Sequence, residues 1–135
     1  MVESVRKIMV KKVVVGSLND SIHDVAKKMK KYDLSCIVIV KNKKPVGIVT
    51  EKDMAQKVAA NKLDINKSVN LIMSKNLITI DPHMNIFSAA NLMEKHNVKK
   101  LPVVERGVLV GLITQTDITR YYAEERKKFF MKNLH

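Results

Sequence analysis

The sequence predicts a mixed α/β (α+β) fold made of two β-α-β-β-α repeats packed with pseudo-twofold symmetry. Three observations predict it. First, the chain repeats itself at a constant offset of 64 residues: 14 of the 50 pairs starting from residues 4 to 53 are identical, without a gap. Ordinary composition would give roughly 3 by chance, and such a period is read before anything else. Second, Val46-Gly47-Ile48-Val49-Thr50-Glu51-Lys52-Asp53-Met54 returns as Val110-Gly111-Leu112-Ile113-Thr114-Gln115-Thr116-Asp117-Ile118. Each copy is a short aliphatic run, suited to a buried strand, that ends in Thr-x-x-Asp, suited to a helix start. Third, the same helical stripe of apolar residues precedes both copies.

In chain order, each repeat opens on a short segment in which Ser4, Val5, Ile8 and Met9 recur as Ser68, Val69, Ile72 and Met73. A strand is expected at 13–15, and its counterpart at 77–80. Ser21-Ile22-His23-Asp24 reads as a capping box, and Ile22, Val25, Ala26 and Met29 then share one helical face. Asn85 holds the equivalent cap before Ile86, Ala89, Ala90 and Met93. Strands are expected at 37–40 and 103–104, each turning back into the motif strand. Arg106-Gly107 suits a tight hairpin turn, and 42–45 a looser one. The helix after Thr50 is expected to run to about Ala60, followed by a linker at 61–67. The helix after Thr114 meets no breaker as far as Met131, so it should be long, with its aromatic residues packed on the body or on a second subunit. The repeats are therefore placed at 1–64 and 65–135, the second carrying the C-terminal helix.

The strand-to-helix junction is the chemical feature. Threonine can cap a backbone N–H, the aspartate can reach back to the cap, and unpaired N–H groups at the positive end of a helix dipole suit an anion. The formal charge of +12 also favours anionic partners without choosing among them. The apolar runs are too short to cross a bilayer. The N-terminus lacks the layout of a secretory signal, and the single cysteine, Cys36, excludes an internal disulfide, so a cytoplasmic location without membrane attachment is expected. His23, His83, His96 and His135 show no metal-ligand spacing with one another or with Cys36, and no metal site is expected. No nucleophile–base–orienter set and no Walker-type loop is visible, so no catalytic residues are assigned.

Two repeats each ending Gly-h-h-Thr-x-x-Asp (h apolar), with Lys100-Leu101-Pro102-Val103-Val104 ahead of the second motif, resemble a tandem pair of CBS (cystathionine β-synthase) domains. The resemblance runs from about Ser4 to Ala123. It is to the small stand-alone pairs of prokaryotes, especially archaea, that form one Bateman-type module. It implies a regulatory module, not an enzyme and without a cofactor, that binds AMP, ADP, ATP or S-adenosylmethionine in clefts between the repeats. It also implies a homodimer and a regulated protein partner. The motif aspartate would hold the ribose hydroxyls, and the motif threonine would meet phosphate or sugar. Carried over, one site would use Thr114 and Asp117 with Ser4, Met9, Leu34 and Ser35. The other would use Thr50 and Asp53 with Ser68, Met73, Val98 and Lys99. Ile48 and Leu112 would touch base or sugar. Lys99 and Lys100 stand where the family often places basic residues facing phosphate. Repeat one has Cys36-Ile37-Val38 in place of Lys100-Leu101-Pro102, so the two sites should differ.

Plainer readings stand beside these. Both Thr-x-x-Asp sets could be helix caps only. Lys27, Lys28, Lys30 and Lys31 suit a solvated helix face. Met9, Met29, Met73 and Met93 suit the core, with Met9 and Met73 also near the clefts. Nucleic-acid binding through the basic surface and the C-terminal helix is the alternative function, weakened by the absence of a recognised motif or stacking aromatics in the repeats. A structural adaptor with empty clefts is the third.

Overall fold

The computed structural model describes residues 3–134. In chain order the elements are α1 (Val5–Ile8), β1 (Val15–Ser17), α2 (Ile22–Lys31), β2 (Cys36–Lys41), β3 (Lys44–Thr50) and α3 (Glu51–Asp53). A π-helix (Met54–Ala59) and a 3-10 turn (Val69–Leu71) follow, then α4 (Ile86–His96), β4 (Lys100–Glu105), β5 (Val108–Thr114) and α5 (Gln115–Lys132). Among the described residues no helix is long and apolar enough to cross a membrane. His135 lies outside the described residues.

The chain divides into two compact units whose membership differs from the sequence repeats. Unit 2 is Val14–Ile78 with Gly107–Leu109; unit 1 joins the residues up to Val13 with Thr79–Arg106 and those from Val110 onward. Each unit thus contains the opening segment of the opposite repeat. In unit 1 the Val5 N–H donates to Met84 O at 2.8 Å, and the Ile86 N–H donates to Glu3 O at 2.9 Å. In unit 2 the Val69 N–H donates to Asp20 O at 3.1 Å, and the Ile22 N–H donates to Lys67 O at 2.9 Å. Every residue in the second set is 64 from its counterpart in the first. Val5 and Val69 are both fully buried, each worth about 1.5–3 kcal/mol of apolar burial. The repeats at 1–64 and 65–135 are therefore units of sequence, while packing regroups the chain.

In unit 2, β1 pairs in parallel with β2, and β2 pairs antiparallel with β3. Ile22, Val25 and Met29 of α2 pack over Ile37, Ile39 and Val49 of that sheet in one buried cluster, with Val69, Ile72 and Met73 from the opening segment of repeat two. In unit 1, β4 pairs with β5. Ile86, Ala89 and Met93 of α4 are buried there, as are Leu101, Val103, Ile113 and Ile118. The predicted helical stripes face these cores.

Four local expectations change. The strand expected at 13–15 begins at Val15. The one expected at 77–80 shrinks to a single parallel bridge, Ile80 to Val103. Two prolines bracket that bridge: Pro82 stands where Leu18 extends the first ladder by donating to Val40 O at 3.0 Å, Pro102 stands where Val38 pairs with Val15, and proline has no N–H to donate. The helix after Thr50 is three residues of α-helix and then π-helix as far as Ala59. Finally, Asn42 and Lys43 form a tight turn, with φ of 51° and 66°. Arg106 and Gly107 do the same, at 53° and 78°. Positive φ at both central residues is the hairpin habit of type I′ turns, and glycine suits the second place. Lys43 occupies that place in repeat one. The long α5 runs as expected, but Phe129, Phe130 and Met131 remain exposed.

Lys43→Gly should stabilise the protein by about 1 kcal/mol, because the left-handed backbone costs a side-chain-bearing residue roughly that much. Chemical denaturation measures this, and an unchanged or lower midpoint refutes it. A second expectation concerns the α2 cap. The Ser21 N–H donates to Asp24 Oδ2 at 3.0 Å, and Ser21 Oγ accepts from the Asp24 N–H at 3.0 Å. The Ser21 backbone bond, then its hydroxyl, holds the Asp24 carboxyl below its ordinary value of 3.8. A depressed carboxylate pKa stabilises the fold above the unfolded value and ceases to do so as pH falls through the folded one. Amide-exchange protection in the first turn of α2 should therefore fall below about pH 3.8, and Asp24→Asn should flatten that dependence.

Candidate functional site

Each motif strand carries its glycine where an edge is covered by the exchanged segment. A Cβ on Gly111 would meet Met9 Sδ at 2.5 Å and Val10 O at 3.1 Å; one on Gly47 would meet Met73 Sδ at 2.5 Å and Ser74 O at 3.1 Å. The two contacts are equivalent, and glycine is present because backbone and methionine approach that closely. One residue on, Leu112 and Val10 exchange two backbone hydrogen bonds, at 2.8 and 3.0 Å, and Ile48 and Ser74 do the same at 3.0 and 2.9 Å. Met9 and Met73 are buried packing residues. The backbones of Leu112 and Ile48 are committed to these bridges, and their half-buried side chains remain for a ligand.

Both motif threonines are helix caps. Thr114 Oγ1 accepts from the Asp117 N–H at 3.0 Å, and the Thr114 N–H donates to Asp117 Oδ2 at 3.0 Å. Thr50 and Asp53 repeat this at 3.2 and 2.9 Å. The residue after each threonine is also paired: the Gln115 N–H donates to Lys99 O at 2.8 Å, and the Glu51 N–H donates to Ser35 O at 3.0 Å. The expected array of unpaired N–H groups is thus mostly consumed. Among the described residues, the first-turn donors Lys52 and Thr116 are the N–H groups at these junctions that no described bond engages. The helix start by itself offers an anion little.

What capping leaves over is the second carboxylate oxygen. The Asp53 and Asp117 side chains are 14% and 13% exposed, and each Oδ1 faces a cation: Lys57 Nζ at 3.0 Å and Arg120 Nη1 at 3.6 Å. Asp117 lines a recess of about 170 Å³ with Ile8, Arg120, Tyr121 and Glu124. Arg120, Tyr121 and Lys57 were missed by sequence reasoning. Their signal was helical spacing, since residues three and four after an aspartate lie on its face. A larger groove of about 470 Å³ lies between α4 and α5, lined by Met93, Val98, Lys99, Ile118 and Tyr122 among others. It contains neither motif aspartate, so the small recess is the better match to the expected chemistry.

The structure brings together some of the candidate residues and separates others. Ser4, Met9, Leu112, Thr114 and Asp117 share unit 1; Ile48, Thr50, Asp53, Ser68 and Met73 share unit 2. The crosswise grouping expected for the opening segments is therefore present within each unit. Ser68 caps the 3-10 turn by accepting from the Asn70 N–H at 3.1 Å; Ser4 precedes α1 without a side-chain cap bond and bridges Asn85. Leu34 and Ser35 do not follow the crosswise rule. They stand in unit 2 beside Thr50, as Val98, Lys99 and Lys100 stand in unit 1 beside Thr114. Strand order explains this: each pair leads into the strand that hydrogen-bonds its own motif strand. Lys99 is exposed, and Lys100 is half-buried. Among the described residues no group of three or more His, Cys, Asp or Glu side chains gathers as a metal site would.

Gly111→Ala should destabilise the protein by about 1–3 kcal/mol, the usual cost of overpacking, because backbone as well as the methionine must move. Gly111→Ala should cost less in a Met9→Ala background than in the wild type, whatever Met9→Ala costs by itself. An equal cost in both backgrounds would show that the methionine contact is not the constraint.

Comparison with known proteins places these features in context. The CBS domain model matches residues 5–60 and 67–124. Protein MJ0450 of Methanocaldococcus jannaschii is 35% identical over 121 residues, covering 87% of this chain and 65% of that protein. The chain thus spans about two thirds of that relative. The CBS domain-containing protein YhcV of Bacillus subtilis is 30% identical over 115 residues, covering 85% and 82%. Among solved structures, the CBS domain pair of protein MJ0100 in complex with 5'-methylthioadenosine and S-adenosyl-L-methionine superposes with a TM-score of 0.81 at 31% identity. It covers 93% of this chain and 99% of that one.

Proposed function

The chain belongs to the CBS domain family, with two copies of the domain in tandem, and from that premise we propose that it is a regulatory module for an adenosine-containing ligand. The observation that carries the reading is the divided duty of Asp117. Its Oδ2 caps α5, while its Oδ1 carries only an ion pair to Arg120 at 3.6 Å, and the residue lines a recess with Ile8. An ionised carboxylate accepts hydroxyl donors in charge-assisted bonds, and a ribose presents two such hydroxyls side by side. A recess of about 170 Å³ is smaller than a typical small-molecule pocket; it suits one part of a ligand, the sugar. The half-buried Leu112 and Ile8 offer apolar surface to the rest.

The ligand class follows from the same groups. Thr114 Oγ1, the Thr116 N–H and exposed Lys99 suit a phosphate, so AMP, ADP and ATP fit. The solved relative of similar fold carries S-adenosylmethionine and 5'-methylthioadenosine, so an uncharged or cationic 5' substituent fits as well. Response to ligand requires that it bind one arrangement of the protein better than another. In this reading the output passes to a protein partner from a homodimer. A cytoplasmic location accords with the lone Cys36, and no catalytic step is proposed.

Thermal melting with AMP, ATP and S-adenosylmethionine tests the reading. Ligand at about 100 times its dissociation constant should add roughly 2.7 kcal/mol of stability. Asp117→Asn keeps an oxygen for the cap but replaces the second oxygen by a donor. It should therefore retain the unliganded melting temperature within a few degrees and lose the ligand shift. No shift with any of the three ligands would reject an adenosine-binding role.

A further inference from the structure

The two motif aspartates differ in what their carboxylates already hold. An ionised carboxylate offers about four lone-pair positions. On Asp53, Oδ2 accepts from the Thr50 N–H at 2.9 Å and from the Thr50 hydroxyl at 3.1 Å, and Oδ1 meets Lys57 Nζ at 3.0 Å. Both positions of Oδ2 are used, and the ammonium group stands against Oδ1 as an ion pair. On Asp117, Oδ2 accepts from the Thr114 N–H at 3.0 Å. Arg120 Nη1 stands 3.6 Å from Oδ1, beyond hydrogen-bonding distance, on a side chain 62% exposed. Two vicinal hydroxyls need two acceptor positions. Among the described residues, Asp117 has them on an Oδ1 whose facing cation stands 3.6 Å off, whereas on Asp53 the two that remain are on the Oδ1 that Lys57 covers at 3.0 Å.

Lys57 is also tied from a second side. Its Nζ donates to Ile72 O at 2.9 Å, and Ile72 is buried, 1% exposed, in the opening segment exchanged into unit 2. One ammonium group therefore spans from the motif carboxylate to the backbone beside it. At the offset of 64, the residue equivalent to Lys57 is Tyr121, which carries no ammonium, and the residue equivalent to Ile72 is Ile8, which lines the Asp117 recess. The helix differs too. Lys57 lies in the π-wound segment Met54–Ala59, whereas α5 is α-helical from Gln115. A π segment is rare and recurs where a helix has been reshaped for function.

We propose that Lys57 occupies the place a ribose would take at Asp53, so that the chain binds one adenosine ligand, at Asp117, and holds its other motif closed with its own side chain. This rests on the adenosine-binding reading above and adds a stoichiometry and a residue that sets it. An exposed ion pair is easily broken in isolation. The second anchor on Ile72 O is what makes displacement cost a ligand affinity, at least tenfold relative to Asp117.

Calorimetric titration of the full chain with S-adenosylmethionine and, separately, with AMP tests it. The wild type should bind one equivalent per chain. Lys57→Met should raise this towards two, and the added site should vanish in the Lys57→Met/Asp53→Asn double variant. Lys57→Ala serves as a second opening variant should methionine disturb the fold, and circular dichroism checks both. Two equivalents bound by the wild type would overturn the proposal. So would folded Lys57 variants that remain at one equivalent. Variants that weaken AMP while sparing S-adenosylmethionine would make Lys57 a phosphate ligand instead, and overturn it as well. No binding by the wild type or any variant rejects the adenosine reading itself, whereas binding with the wrong stoichiometry rejects only the role given to Lys57.

Discussion

A methionine lying across a glycine holds each unit together at its motif strand. Met9 covers Gly111 and Met73 covers Gly47, closely enough that a single added carbon at either glycine would collide with sulfur. The contact lets the opening segment run alongside the motif strand and exchange two backbone hydrogen bonds with it. An otherwise open strand edge is thereby satisfied. The strand then delivers its threonine to the helix start at a defined place, and the aspartate three residues later turns back to meet it. The cap, and the carboxylate oxygen left over from it, both follow from where the strand ends.

The same constraint accounts for the exchange of opening segments. Val5 and Val69 are wholly buried, yet each sits in the unit built mainly from the other repeat. A repeat folded alone would leave its motif strand without a covering segment and its valine without a core. A contiguous half of this chain therefore lacks parts that its own unit requires. This is the usual reason that small repeated units occur in sets.

Equivalence of the repeats does not extend to their carboxylates. Identical Thr-x-x-Asp sequences produce the same cap, because capping depends only on residues within one turn. The surroundings of Oδ1 depend on residues a full turn further along, where the repeats diverge: Lys57 against Tyr121, Gln56 against Arg120. Among the described residues, an ammonium group held against one carboxylate and a recess beside the other is a difference in chemistry between motifs of the same sequence.

The sequence alone determined the repeat, the two strand-to-helix motifs, the helix stripes, the caps at Ser21, Asn85, Thr50 and Thr114, and the long last helix. These rest on short-range periodicity and on local hydrogen-bonding preference, which a linear chain displays directly. Resemblance added the family and the aspartates as site residues. Resemblance also paired each opening segment with the opposite motif, and only the tertiary structure gave the reason, a methionine that lies across the opposite glycine. The tertiary structure also decided that Leu34 and Ser35 stand with Thr50, that a strand shrinks to one bridge bracketed by Pro82 and Pro102, and that the helix after Asp53 is π-wound. The free oxygen of each aspartate belongs with these. Whether it meets an ammonium group anchored on Ile72 or a recess beside Ile8 depends on where a distant backbone carbonyl arrives, and no spacing within a motif encodes that.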